Sequence, residues 1–154
     1  MSKRIFVLLL AALLLLGLVG CGDKSAPVDG QALYEQMAAL NQFPDMARRN
    51  GEAVFEYYGI DPEQCVQLVN YASADGLLAD EFLFVQAKQE AYAQEVEAML
   101  KEQVEHLSEA YRDYMPEEYE KLKNARLERQ GTVVLLLVAE DVAPLYKLFT
   151  DAAK

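Results

Sequence analysis

One histidine, two cysteines and no tryptophan occur in 154 residues, and 14 basic residues stand against 25 acidic ones. A single histidine, His106, means that any Ser-His-Asp or Cys-His machinery has one place to find its base. It also rules out the two-histidine HExxH zinc motif. Two cysteines, Cys21 and Cys65, are too few for a disulfide framework or a Cys-rich zinc site. The scarcity of positive charge, a formal net charge of −11, sets up a field that repels phosphate backbones, so nucleic acid is not an expected partner. A Gly-rich phosphate loop and a calcium-loop pattern are missing as well, and no internal repeat or low-complexity tract occurs. No cofactor is called for.

What the sequence does have begins at its start. Lys3 and Arg4 precede fifteen apolar residues, Ile5 to Val19, the pattern of a signal peptide. A spanning helix needs roughly twenty residues at about 1.5 Å each, so the run is short for a permanent membrane span. It ends in Leu18, Val19, Gly20 and Cys21, which resembles the lipobox of bacterial lipoproteins. That resemblance implies diacylglyceryl transfer to the Cys21 sulfur, with fatty chains of the palmitate type, and cleavage after Gly20. One acyl chain holds a protein to a bilayer only marginally, whereas two hold it durably. Loss of residues 1–20 takes Lys3 and Arg4 away and leaves 12 basic against 25 acidic residues, −13. Residues 22–30, "GDKSAPVDG", have linker composition and reach at most roughly 30 Å from the anchor.

The remainder, residues 31–154, has the length of one domain with one core. Asp29 is placed to cap a helix with Leu33, Met37 and Leu40 on one face, ending near Asn41. A second helix is expected from Asn50 to Tyr58, with Gly59 as its stop. "CVQLVNYAS" at 65–73 and "EFLFVQAK" at 81–88 have strand composition and form an antiparallel pair, with Phe82 and Phe84 on one face and Leu83 and Val85 on the other. A long helix from Gln89 to Tyr114 carries Val96, Leu100, Val104, Leu107, Tyr111 and Tyr114 on one side and glutamates on the other. Pro116 restarts the chain as a short helix. A hairpin follows: Ala125 to Glu128, a turn ending at Gly131, and a buried central strand from Thr132 to Ala139. "EDVAPLYKLFTDAAK" at 140–154 closes the chain as a helix, with an acidic start and Lys147 placed to suit its dipole. The expected fold is α+β, a four-stranded antiparallel sheet packed against a long amphipathic helix, in the order α-α-β-β-α-α-β-β-α.

Five stretches then carry a second resemblance: "YYGID" at 57–61, "ADEFLFVQAK" at 79–88, the long acidic helix, "YMPEEYEKLKNA" at 114–125 and "GTVVLLLV" at 131–138. Over about Asp29 to Phe149 the chain resembles the family called domain of unknown function 4358. The family implies small lipoproteins held outside the cytoplasmic membrane of mainly Gram-positive bacteria. It implies no activity and no catalytic residue.

Candidate chemistry is sparse. Glu102, His106 and Glu109 share one helical face and offer a metal three ligands. A solvated face carrying a charge-compensating histidine is the favoured reading, because zinc sites usually draw ligands from several elements. Cys65 in "PEQCVQL" has neither a base nor an electropositive setting beside it in sequence, and is read as a buried strand thiol. Asp80 with Glu81, and Glu117 with Glu118, cannot be assigned as an acid and base pair without their spatial separation. Tyr111, Tyr114 and Tyr119 around Pro116 offer amphipathic rings for a binding surface, or brace two helices against the sheet. Asp80, Glu81, Lys121 and Asn124 lie in the segments most like the family.

The functional expectation is a lipid-anchored domain on the extracytoplasmic face of the cell membrane, bound through Cys21, with no catalytic residue or metal assigned. It acts as a binding module for an envelope protein or small ligand. The alternatives are a carboxylate-dependent hydrolase, recognisable by two acidic side chains converging in a cleft, and a passive structural spacer.

Overall fold

A computed structural model describes residues 28–154; the expected signal peptide, the lipobox-like residues Leu18 to Gly20 and Cys21 lie outside the described residues. The first helix, α1, spans Gly30–Ala38, and the Asp29 carboxylate accepts the N–H groups of Gln31 and Ala32, as its capping position predicts. Strand β1 covers Met46–Arg49, α2 covers Gly51–Tyr58, and a single 3-10 turn, Pro62–Gln64, leads into β2, Cys65–Ser73. Then come β3 (Glu81–Ala87), the long α3 (Glu90–Tyr111), α4 (Pro116–Lys123), β4 (Arg126–Gln130), β5 (Val133–Val138) and α5 (Ala143–Ala152).

The strands form one fully antiparallel sheet in the order β1-β2-β3-β5-β4. The mixed helix and strand class stands, but the sheet has five strands instead of four, and the expected element order lacks one. The missing strand is β1, whose sequence "MARR" has no apolar alternation. It is a four-residue edge strand held by its pairing to β2, so main-chain hydrogen bonds make it where side-chain pattern does not.

Both faces of the sheet are covered. Phe82 and Phe84 face α1 and α5, where they pack with Leu33, Met37, Leu135, Leu137, Leu145 and Phe149. Leu83 and Val85 face α2, α3 and α4 and meet Val54, Tyr92, Val96, Leu100, Leu122 and Leu136. The expected split of the "FLFV" run between two faces is therefore what the sheet shows. The long helix covers one face and the two terminal helices cover the other, giving three layers. Gly30 makes that second contact possible, because a Cβ there would run into the Phe84 ring. Among the described residues no helix is long and apolar enough to cross a membrane.

Candidate functional site

The start of β3 is where the polar chemistry collects. Among the described residues, Asp80, Glu81, Glu118 and Asn70 are the buried polar or charged ones, none more than 6% exposed. They form two neighbouring groups.

The first group joins the loop before β3 to α4. Pro116 opens α4 at a position where no amide is missed, which puts Glu118 in its first turn and Lys121 one turn later. Lys121 Nζ sits 2.7 Å from Asp80 Oδ2 and 3.0 Å from Glu118 Oε1. The other Glu118 oxygen, Oε2, accepts the Ala79 N–H at 2.8 Å. Burial drives the Asp80 carboxyl above its ordinary range; Lys121 works against that, and the nearby Glu118 charge adds to it. For Lys121 burial favours the neutral amine, but bonds to two carboxylates outweigh it and the ammonium is held more firmly than usual. The two directions agree physically: the lysine side chain keeps some contact with water and has two anions, whereas Asp80 is almost fully enclosed and shares one cation.

The second group lies on the α3 face of the sheet. Asn70 pairs with Leu83 across β2 and β3, so its side chain shares a face with Glu81, two residues before Leu83. Asn70 Nδ2 donates to Glu81 Oε1 at 2.7 Å and to the Phe82 carbonyl at 3.1 Å. Arg49 Nη1 reaches Glu81 Oε1 at 3.5 Å, and its guanidinium lies 4.8 Å from the centre of the Tyr57 ring. Burial raises the Glu81 pKa, against the hydrogen bonds and Arg49. Tyr58 is buried beside Glu81, and enclosure together with that carboxyl's charge raises its phenol. Its hydroxyl nonetheless lacks a well-aligned partner, as does Asn70 Oδ1. The Glu81 carboxyl thus bears on the Tyr58 phenol without a hydrogen bond of good geometry between them.

Above the Asp80 group opens a cleft of about 450 Å³ lined by Glu117, Glu118, Glu120, Lys121, Asn124 and Glu140. Four carboxylates and one ammonium make it an anionic hollow, and its lysine is already committed to Asp80 and Glu118. Asp80 and Glu118 thus converge, as the hydrolase reading requires. Yet Lys121 lies between them, and both Glu118 oxygens are engaged. A carboxylate pair held in this way is suited to bolting a helix to a sheet.

The residues singled out from sequence fall in different places. Asp80, Lys121 and Glu118 come together, and Asn124 lines the cleft they adjoin. Tyr111 packs against the core, and its phenol is raised first by burial and then by the charges of Tyr57 and Glu118. Tyr114 is 86% exposed, while Tyr119 is partly buried with Arg112 and Lys123 near its ring. Among the described aromatic pairs none links these three tyrosines. Glu102, His106 and Glu109 all lie on the exposed side of α3, and among the described residues no group of side chains is arranged to hold a metal. Cys65 is half-buried, donates to the Asp61 carbonyl at 3.4 Å and has its thiol pushed up to about 11 by burial and by Asp61. A thiol so disposed is a poor nucleophile at neutral pH.

Sequence reasoning missed Arg49, Tyr58 and Asn70. The signal available was "DEFLFV" at 80–85, two acids directly abutting a wholly apolar strand. Charges in that position must either leave the sheet or find partners inside it.

No curated protein and no solved structure matches the chain. A family does, over residues 40–139, a span holding Asp80, Glu81, Asn70, Glu118 and Lys121 and ending just short of Glu140. The chain belongs to the family described as Domain of unknown function (DUF4358).

Proposed function

We propose that the chain is a lipoprotein, anchored by a diacylated Cys21 to the outer face of the cytoplasmic membrane, that serves the cell envelope by binding rather than by catalysis. One observation carries the reading: a lipobox at residues 18–21 is followed within seven residues by the first fixed point of the fold. Gln67 on β2 supplies that fixed point. Its Oε1 accepts the Gly30 N–H and its Nε2 donates to the Val28 carbonyl, both at 3.0 Å. Seven residues span at most about 25 Å, so the tether is shorter than residues 22–30 alone suggest. The domain is thereby held near the bilayer, with an anionic cleft available to a cationic or hydrogen-bond-donating partner.

Mass analysis of the mature N-terminal peptide tests the anchor. A diacylated Cys21 at the new N-terminus is expected, and an unmodified Cys21 still joined to Gly20 would end the proposal. Crosslinking in the membrane followed by mass spectrometry tests the binding role, which predicts one reproducible partner that is lost when Glu117, Glu120 and Glu140 are changed to glutamine.

The hydrolase reading draws support from the convergence of Asp80 and Glu118 on Lys121. It requires Asp80→Asn to abolish turnover of an envelope substrate while the fold survives. The binding reading instead expects that change to act through the attachment of α4. A passive spacer would show neither a partner nor an envelope phenotype on deletion.

A further inference from the structure

We propose that the free edge of β4 pairs with β4 of a second copy of this chain, antiparallel and centred on Leu127, to join the two sheets into one. β4 ends the sheet and hydrogen-bonds on one side only, to β5. The hairpin between them has a two-residue turn, Gly131 and Thr132, closed by the pair Gln130 and Val133. Gly131 sits at a φ of 58°, where a side chain would be strained and where the first residue of a tight hairpin turn belongs. A turn of this length makes its closing pair a hydrogen-bonded one, so Gln130, Glu128 and Arg126 turn their N–H and C=O groups toward β5. Leu127 and Arg129 therefore turn theirs outward. The Ala125 N–H also turns away from β5 and bonds the Leu122 carbonyl, in keeping with that alternation.

Outward groups restrict how a second β4 can dock. Three two-fold registers, centred on Leu127, Glu128 or Arg129, set outward-turned residues of the two strands against one another; in the first of them Ala125 meets Arg129 with its carbonyl only, because its N–H is bonded to Leu122. One sets Arg129 against Arg129 and another sets Glu128 against Glu128, both like-charge pairs. The remaining register sets Leu127 against Leu127 and, on either side of it, Arg126 against Glu128 of the other copy. Charge thus selects one pairing, and it is the pairing that brings the two leucines together.

The surroundings leave room for it. An open groove of about 610 Å³ runs between β4 and α3, lined by Gln94, Glu97, Ala98 and Lys101 on the helix and Ala125, Arg126 and Leu127 on the strand. Leu127 pairs with Leu136 and so points to the α3 side, which makes the groove the place where Leu127 of the added strand would lie. Arg126 and Glu128, 2.9 Å apart within one chain, stand on the opposite side, where the Arg126 guanidinium also lies 4.1 Å from the centre of the Tyr146 ring; pairing exchanges the Glu128 contact for that of the other copy. Overall acidity opposes self-association, but locally Lys101, Arg126 and Arg129 offset Glu97 and Glu128. Charged residues on an edge strand can also serve to block pairing; here the alternation of sign along "RLER" favours one register instead.

Light scattering of the full chain in detergent, corrected for the micelle, is expected to give the mass of two copies. Arg126→Glu should weaken the dimer roughly tenfold by opposing Glu128 with a like charge, and adding Glu128→Arg to it should restore the dimer. A second readout uses Leu127→Cys in a Cys65→Ser background and a short bis-maleimide in intact cells. It should give a two-chain band absent from the background chain and from Leu77→Cys in the same background. A monomer at all concentrations, indifference to Arg126→Glu, or position-127 adducts formed only with other proteins would each overturn the proposal.

Discussion

The two faces of the sheet are built from the same strands by different chemistry. Toward α1 and α5 the buried layer is wholly apolar, with Phe82, Phe84, Leu135 and Leu137 meeting Leu33, Met37, Leu145 and Phe149. Toward α2, α3 and α4 an equally enclosed layer of Leu83, Val85 and Leu136 is interrupted at the β3 start by Glu81 and Asn70, next to the Asp80 and Lys121 bridge. A face with nothing but packing to satisfy derives its stability from area and shape. A face with buried carboxylates must first offset their desolvation, so its polar contacts specify geometry more than they add stability.

That contrast predicts where damage is greatest. Phe84→Ala removes a fully buried ring from the apolar layer and should cost about 3–5 kcal/mol, read as a fall in the midpoint of denaturant unfolding. Gly30→Ala tests the same layer from the other side, because the added methyl collides with the ring that Phe84→Ala removes. Alone it should cost about 1–3 kcal/mol, and combined with Phe84→Ala its cost should shrink sharply. Simple addition of the two losses would show that the helix does not press on this ring.

Lys121→Met acts on the polar face and should cost about 3 kcal/mol, because it strands Asp80 and Glu118 in the interior without their cation. The loss should ease as the pH falls and Asp80, whose pKa burial already raises, takes up its proton. A pH-independent loss would mean that the bridge is solvated in practice.

Glu81→Gln is expected to move stability the other way, by about 1 kcal/mol at neutral pH. The wild-type carboxyl has a folded pKa raised above its ordinary 4.5, chiefly by burial. The folded state therefore binds this proton more tightly than the unfolded state. Stability linked to Glu81 is fully present below about pH 4.5 and is lost as the pH climbs through the raised value. A glutamine has no such penalty, and its amide N–H groups can meet the unpartnered Asn70 Oδ1 or the Tyr58 hydroxyl. Thermal unfolding across pH 4 to 8 should show a flatter profile for the variant, and a parallel profile would remove Glu81 from the account.

The same contrast explains what the sequence could and could not reveal. The apolar layers were legible because "EFLFVQA" and "TVVLLLV" hold unbroken apolar runs of strand length, which need cover on both faces, and Asp29, Asn50 and Gly59 mark helix ends by local chemistry. β1 was not legible, since "MARR" becomes a strand only through its neighbour. The polar cluster was half-legible: Asp80 and Lys121 stood out in family-like segments, but 41 residues separate them. Arg49 and Asn70 carry no local sign of their role, because charge and amide character have meaning there only after strand pairing puts them in register with β3.

Cys65 gives the smallest effect and a clean test of burial against reactivity. It stands at the start of β2, where the pairing with β3 shifts register between Cys65 and Gln67, half-covered by the layer that includes Tyr92. With its thiol pushed up to about 11, the thiolate is on the order of one part in ten thousand at neutral pH. Alkylation by iodoacetamide should therefore be slow at pH 7, and its rate should rise about tenfold per pH unit up to roughly pH 10. Because Asp61 contributes to the shift through its charge, Asp61→Asn should speed the reaction at pH 7 while leaving the melting temperature nearly unchanged. A fast, pH-flat reaction in the parent chain would make Cys65 an exposed thiol.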